Sequence, residues 1–150
     1  MGAYIVPYLI SRSTSPTPDH PRVFLWYRRL SKPAFQPPDI AIPLAWTAIE
    51  TGLAVAAYRL LRRPKSTQRN VALYWLAGNV AAIGAWSRLF FGSRSLPAST
   101  VAAAAMVGTG AAYVVESRKV DGPAAAAGVP LTVWVALATV LTAALWRRNR

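Results

Sequence analysis

The sequence predicts an all-α integral membrane protein, and three observations carry that reading. Charged residues make up only 15% of a 150-residue chain that is 54% hydrophobic, whereas a soluble domain carries about 25% charge. Four stretches of near-bilayer length hold almost no ionisable side chain, and a helix needs roughly 20 apolar residues to cross the hydrocarbon layer. The 17 Lys and Arg, set against 5 Asp and Glu, fall between those stretches, as they do on the flanks of multispan proteins. A formal net charge of +12 raises nucleic acid as a partner, but the basic residues form no single face and that reading fails. Open sheet edges leave backbone groups unpaired in lipid, so the spans are helices.

Taken in order, residues 1–10 are apolar but only about 15 Å long as a helix, half a bilayer. They lack a basic leader and a small-residue cleavage site, which argues against a signal peptide. They read as a partial first helix, the tail of a longer span; a half-inserted segment and a disordered end are the alternatives. Residues 11–39 hold Pro16, Pro18, Pro21, Pro37 and Pro38 and are predicted to form a loop. Asp39 is placed to cap the first full span.

The full spans are 40–61, 71–91, 97–115 and 124–146, so that residues 1–150 form a single transmembrane domain. Glu50 is the one ionisable group in the first before Arg59; the second is uncharged until Arg88, and the last two carry no charge. Short links, the first around Arg62 to Arg69 and the last around Glu116 to Pro123, force neighbouring helices to run antiparallel. Pro130 is expected to bend the last helix by freeing the Ala126 carbonyl. Ten Lys and Arg lie on the side of the C-terminus and seven on the other, a small bias towards a cytoplasmic C-terminus.

Without cysteine there is no disulfide, thiolate metal site or thiol nucleophile. With His20 the only imidazole, neither a Ser-His-Asp triad nor a histidine metal site is expected. Catalytic and metal-binding residues are therefore expected to be none, with no required cofactor.

Twenty-eight alanines lie mostly inside the spans. Gly78-x-x-x-Ala82, Ala81-x-x-x-Ala85 and Gly108-x-x-x-Ala112 allow close backbone approach, read either as packing within the bundle or as a homodimer contact. Against this background, Trp26 and Trp146 lie at span ends or in a loop, as an interfacial belt requires. Trp46, Trp86 and Trp134 lie deeper. Asn79, Ile83, Trp86 and Phe90 follow one helical stripe, and Trp46 and Glu50 share another face. Aromatic rings with a few polar groups inside an alanine-lined bundle suit a flat, largely apolar ligand; the plainer reading is that they fill the core or face lipid. Glu50 is costly at mid-span and points to a function or to a partner such as Asn79 or a threonine.

Four segments in order carry a resemblance to a known family. They are Trp26-Tyr27-x-x-Leu30-x-Lys32-Pro33-x-Phe35-x-Pro37-Pro38, Trp46-Thr47, and Trp86-Ser87-x-Leu89-Phe90-Phe91-Gly92. The last is Pro130-x-x-x-Trp134-x-Ala136-x-x-Thr139-x-Leu141, followed by Trp146-Arg147-x-Asn149. Together they resemble the TspO/MBR family, the translocator proteins and tryptophan-rich sensory proteins. The resemblance implies a five-helix transmembrane bundle, here with a shortened first helix and four full spans. It implies a pocket opening toward the first loop, porphyrin binding (protoporphyrin IX above all), and in some members sterol or drug binding. The expected ligand-binding residues are Trp46, Glu50, Asn79, Trp86, Phe90, Trp134 and Ala138, with loop contacts from Trp26, Lys32, Pro33 and Phe35. Departures are several: Glu50 replaces a family tyrosine, Asn79 a glutamine, Ile83 and Thr142 asparagines. Ala143 stands where the sterol-recognition motif has tyrosine.

Three readings follow. One is a membrane receptor or carrier for porphyrin-like ligands with a transport, sensory or stress-regulatory role, in which Arg28, Arg29 and Lys32 meet the propionates. The second is a small proton-coupled multidrug exporter using Glu50. The third is light-dependent breakdown of a bound porphyrin. All three place the chain in a membrane, and the Ala/Arg-rich composition suggests a bacterial one.

Overall fold

The computed structural model describes residues 21–150; the expected partial helix over residues 1–10 lies outside them. The described residues form α1 (Pro21–Arg29), α2 (Ala41–Leu61), α3 (Thr67–Ser87), α4 (Leu96–Arg118), α5 (Gly122–Ala126) and α6 (Val129–Arg148). A π-helical turn over Arg88–Gly92 continues α3. No strand occurs among the described residues. The chain is all-α, as predicted.

Three helical stretches are long and apolar enough to cross a bilayer: α2, α4, and α5 with α6 over Gly122–Arg148. The stretch expected over 71–91 corresponds to α3 and the π turn that follows it. Ser66 accepts the Arg69 N–H at 3.1 Å and so starts α3 at Thr67, bringing Gln68, Arg69 and Asn70 into its first turn.

Other boundaries differ for local reasons. The segment 11–39 is not all loop, since α1 occupies Pro21–Arg29. Proline is tolerated in a first helical turn, and Arg28 and Arg29 sit favourably at the C-terminal end. Asp39 does not cap α2: the helix begins after Ile40 without a side-chain cap, and the Pro38 carbonyl takes the Ala41 N–H at 2.9 Å. The last span is two helices. Its break falls at Ala127–Gly128, and Pro130 lies in the first turn of α6, where its missing N–H costs nothing. Pro130 thus begins a helix and does not bend one.

Glycine is required at that break. A Cβ on Gly128 would run into the ring of Tyr113, which is fully buried and donates its hydroxyl to the Ala124 carbonyl at 2.7 Å. Tyr113 of α4 therefore fixes both where α5 ends and how α6 leaves.

α4 is the central helix, packed along α6 and α3, while α2 rests on α3 and α5. Leu53, Leu60, Leu76, Ile83, Met106, Leu131 and Val135 share one buried core. Water does not drive helix association in lipid, so packing and interhelical hydrogen bonds hold such a bundle. Asn79 supplies one: its Nδ2 donates to the Trp75 and Thr109 carbonyls at 2.8 and 3.1 Å, and its Oδ1 accepts the Thr109 hydroxyl at 3.0 Å. Bonds of this kind average about 0.6 kcal/mol in membrane proteins.

At the end away from the C-terminus, Asp121 caps α5 by accepting the Ala124 N–H at 2.9 Å. The same carboxylate accepts Arg59 Nε at 2.9 Å and Arg63 Nη2 at 2.6 Å. The Arg59 hydrogen bond does most to hold this carboxyl well below the usual carboxylate range; burial opposes it, and the Ala124 N–H and Arg63 assist. One aspartate thus ties the end of α2 to the start of the α5–α6 stretch.

Candidate functional site

The aromatic side chains gather in two groups. At the loop end, Trp86 and Phe90 stack at 5.1 Å and 12°, Trp26 meets Phe90 edge-on at 5.5 Å, and Phe91 lies 4.7 Å from Phe90. The π turn explains the adjacency. It adds a residue to the turn, with Ser93 N–H bonded to the Arg88 carbonyl at 2.8 Å, so that Phe90 and Phe91 both contribute to one cluster. Such turns recur at functional sites. Leu96, Leu141 and Leu145 complete the cluster.

Deeper in the bundle, Trp46 of α2 and Trp134 of α6 meet edge-to-face at 6.3 Å and 80°. Trp46 lies 13 residues before Arg59 and Trp134 13 residues after Asp121, which places the two indoles at matching depth above the Arg59–Asp121 pair. α2 otherwise touches α6 little, and it is the least buried of the three spanning stretches. Trp86 belongs to the loop-end group and also packs against the buried core on which Trp46 and Trp134 rest.

The expected site residues divide accordingly. Trp46 and Trp134 are together, as are Trp86, Phe90 and Trp26. The stripe through Asn79, Ile83, Trp86 and Phe90 turns inward, since Asn79, Ile83 and Phe90 are buried and Trp86 is half-buried. Two of its polar groups already have partners: Asn79 is bonded to α4, and Trp86 Nε1 donates to the Ser99 carbonyl at 3.0 Å. Glu50, one turn beyond Trp46, is half-buried and makes no hydrogen bond or ion pair with the described residues. Asn79 is thus not its partner. Ala138 lies one turn beyond Trp134, half-buried.

The loop residues behave differently from one another. Pro33 is buried, while Phe35 is 52% exposed and does not enter the aromatic cluster. The Lys32 ammonium sits 4.1 Å from the centre of the Tyr27 ring. Gln36 Nε2 donates to the Tyr27 hydroxyl at 3.0 Å. Burial pushes the Tyr27 phenol up, and the negative charge of Asp39 adds to that, so the phenol stays neutral across physiological pH.

Tyr27, Phe91, Thr109 and Asn149 complete the arrangement but were not singled out by sequence. Tyr27, Phe91 and Asn149 lie inside the quoted motifs, which was the available signal. Thr109 had none, because its partner is 30 residues away on another helix.

Apolar helices with an indole-edged interior, flanked at one end by a short tryptophan-bearing helix, define a small polytopic membrane protein. Residues 3–147 match the TspO/MBR family, and the chain belongs to it. It is 31% identical over 124 residues to the tryptophan-rich sensory protein of Cereibacter sphaeroides, covering 83% of this chain and 77% of the relative. The translocator protein of Ovis aries is 30% identical over 129 residues, 85% and 76% of the two chains. That of Homo sapiens is 29% identical over 126 residues, 83% and 75%. The chain is therefore an integral membrane protein whose surroundings are lipid.

Proposed function

We propose that the chain is a membrane receptor or carrier for porphyrin-like tetrapyrroles, with protoporphyrin IX as the reference ligand and a bacterial cell membrane as its setting. The sensory and translocator names of its relatives support a receptor or carrier role. The observation that carries the ligand class is the Trp46–Trp134 pair, an edge-to-face indole contact bridging two helices that otherwise barely touch. A flat macrocycle sliding between α2 and α6 replaces that contact with stacking on both rings. The spans hold no histidine or cysteine, which favours metal-free porphyrin over haem. Lys32, engaged on Tyr27, is a weaker candidate for the propionates than Arg29. The test is the Soret band of protoporphyrin IX titrated into the detergent-purified protein. A shift saturating at one porphyrin per chain supports the reading; linear partitioning equal to that of empty micelles refutes it.

Glu50 sustains a second reading, because a half-buried carboxylate without a partner among the described residues is what a proton-coupled exporter of lipophilic cations needs. Proton-driven ethidium efflux abolished by Glu50→Gln would establish it, and efflux equal to that of cells lacking the protein would dismiss it.

A further inference from the structure

At the end of the bundle opposite the loop, a cavity of about 430 Å³ opens between two turns, lined by Arg63, Pro64, Ser66, Gln68, Lys119 and Val120. We propose that it holds the phosphate headgroup of an anionic membrane lipid. The ligand-site reading plays no part in this, since none of these residues belongs to the aromatic clusters.

The charge arrangement carries the inference. Arg59, Arg62, Arg63, Lys65, Arg69, Arg118 and Lys119 gather at this end against only Glu116 and Asp121. Asp121 is already saturated: it accepts twice from Arg59, twice from Arg63 and once from the Ala124 N–H. Two guanidiniums share one carboxylate, so a positive charge is left over. The Arg63 side chain, 48% exposed, is held at the cavity wall by that pairing. An anion there meets a donor fixed in place, with little ordering cost.

Two further groups point the same way. Lys119 is paired with Glu116 at 2.9 Å, but that pair is solvent-exposed and lies within one helical turn. Such pairs contribute little, and the ammonium is free to turn to a phosphate. Arg69, next to the lining residue Gln68 but not itself in the lining, donates to the Arg63 carbonyl at 3.1 Å, while its Nε is buried with no acceptor among the described residues. The first turn of α3, with Ser66 and Gln68 in the lining, adds backbone N–H groups that have no intrahelical partner.

The depth selects a lipid. The cavity sits where α2 and α4 end, at Leu61 and Arg118, which is the headgroup level for helices that span the hydrocarbon. Leu61 and Val115, 60% and 55% exposed, offer apolar surface on the bilayer side of this end for acyl chains.

The full-length protein in detergent, titrated with phosphatidylglycerol, phosphatidylcholine or inorganic phosphate, tests this by melting temperature and native mass spectrometry. Phosphatidylglycerol is expected to bind and raise the melting temperature, and phosphatidylcholine to do neither. Lys119→Gln and Gln68→Glu should each weaken phosphatidylglycerol binding about fivefold. Gln68→Glu places an acid in a first helical turn, which favours the helix, so its effect is separable from unfolding. Arg147→Gln, at the other end and with the same charge change as Lys119→Gln, should leave binding within twofold. Equal binding of phosphatidylcholine, or indifference to both cavity variants, overturns the proposal. A matching response to millimolar inorganic phosphate overturns the lipid assignment and gives the site to a soluble phosphate compound.

Discussion

Asn149 and Ser31, 118 residues apart, exchange two hydrogen bonds: Asn149 Oδ1 accepts the Ser31 N–H at 2.9 Å, and Asn149 Nδ2 donates to the Ser31 carbonyl at 3.2 Å. The same Nδ2 donates to the Leu145 carbonyl at 2.8 Å, so one side chain closes the last turn of α6 and holds the segment between α1 and α2. Trp26, Tyr27 and Leu30, immediately before Ser31, anchor the same α1 end of that segment on the Phe90 cluster.

Asn149→Ala removes the tie without touching the core. The expected cost is about 1–2 kcal/mol of local opening. Amide exchange at residues 30–36 should rise roughly tenfold, while the melting temperature changes little. Unaltered exchange there would show that the aromatic anchor alone holds the loop.

Asp121→Asn should destabilise the bundle by about 2–4 kcal/mol, because it leaves Arg59 and Arg63 without their shared counter-charge. The pH dependence follows from the direction of the shift. The folded carboxyl titrates below its unfolded value, so its contribution is complete above about pH 4 and declines as the pH falls below that. Melting temperatures of wild type and Asp121→Asn should therefore differ at pH 7 and converge at acid pH. A constant gap down to pH 2.5 contradicts the ion-pair account.

Gly128→Ala sets a Cβ against the buried Tyr113 ring and should cost about 1–3 kcal/mol. Gly108→Ala meets nothing within 4 Å and should be neutral or stabilising, since alanine is the better helix former by about 1 kcal/mol. Thermal unfolding of both variants in the same detergent separates the two effects. Equal loss would mean that general helix geometry, and not Tyr113, sets the break.

Much of this was legible in the sequence. Charge-free stretches located α2, α4 and α6, and the helical stripe through Asn79 and Phe90 identified an inward face. What misled was punctuation: prolines before residue 39 concealed α1, and Pro130 stood for a break that Tyr113 and Gly128 set upstream. Pairings between helices were not legible at all. Nothing in a linear pattern joins Asn79 to Thr109, or Asp121 to both Arg59 and Arg63. The site was readable as a set of rings, and the division into a loop-end cluster and a deeper indole pair came only with the fold.

The indole pair is also where the account is most exposed. Tryptophan emission should be followed as protoporphyrin IX is added to wild type, Trp134→Ala and Trp75→Phe, the last altering an indole remote from the pair. Saturable quenching in wild type and Trp75→Phe, with affinity at least tenfold weaker in Trp134→Ala, is the expected result. Quenching that does not saturate, or an affinity that Trp134→Ala leaves unchanged, contradicts a ligand seated between Trp46 and Trp134.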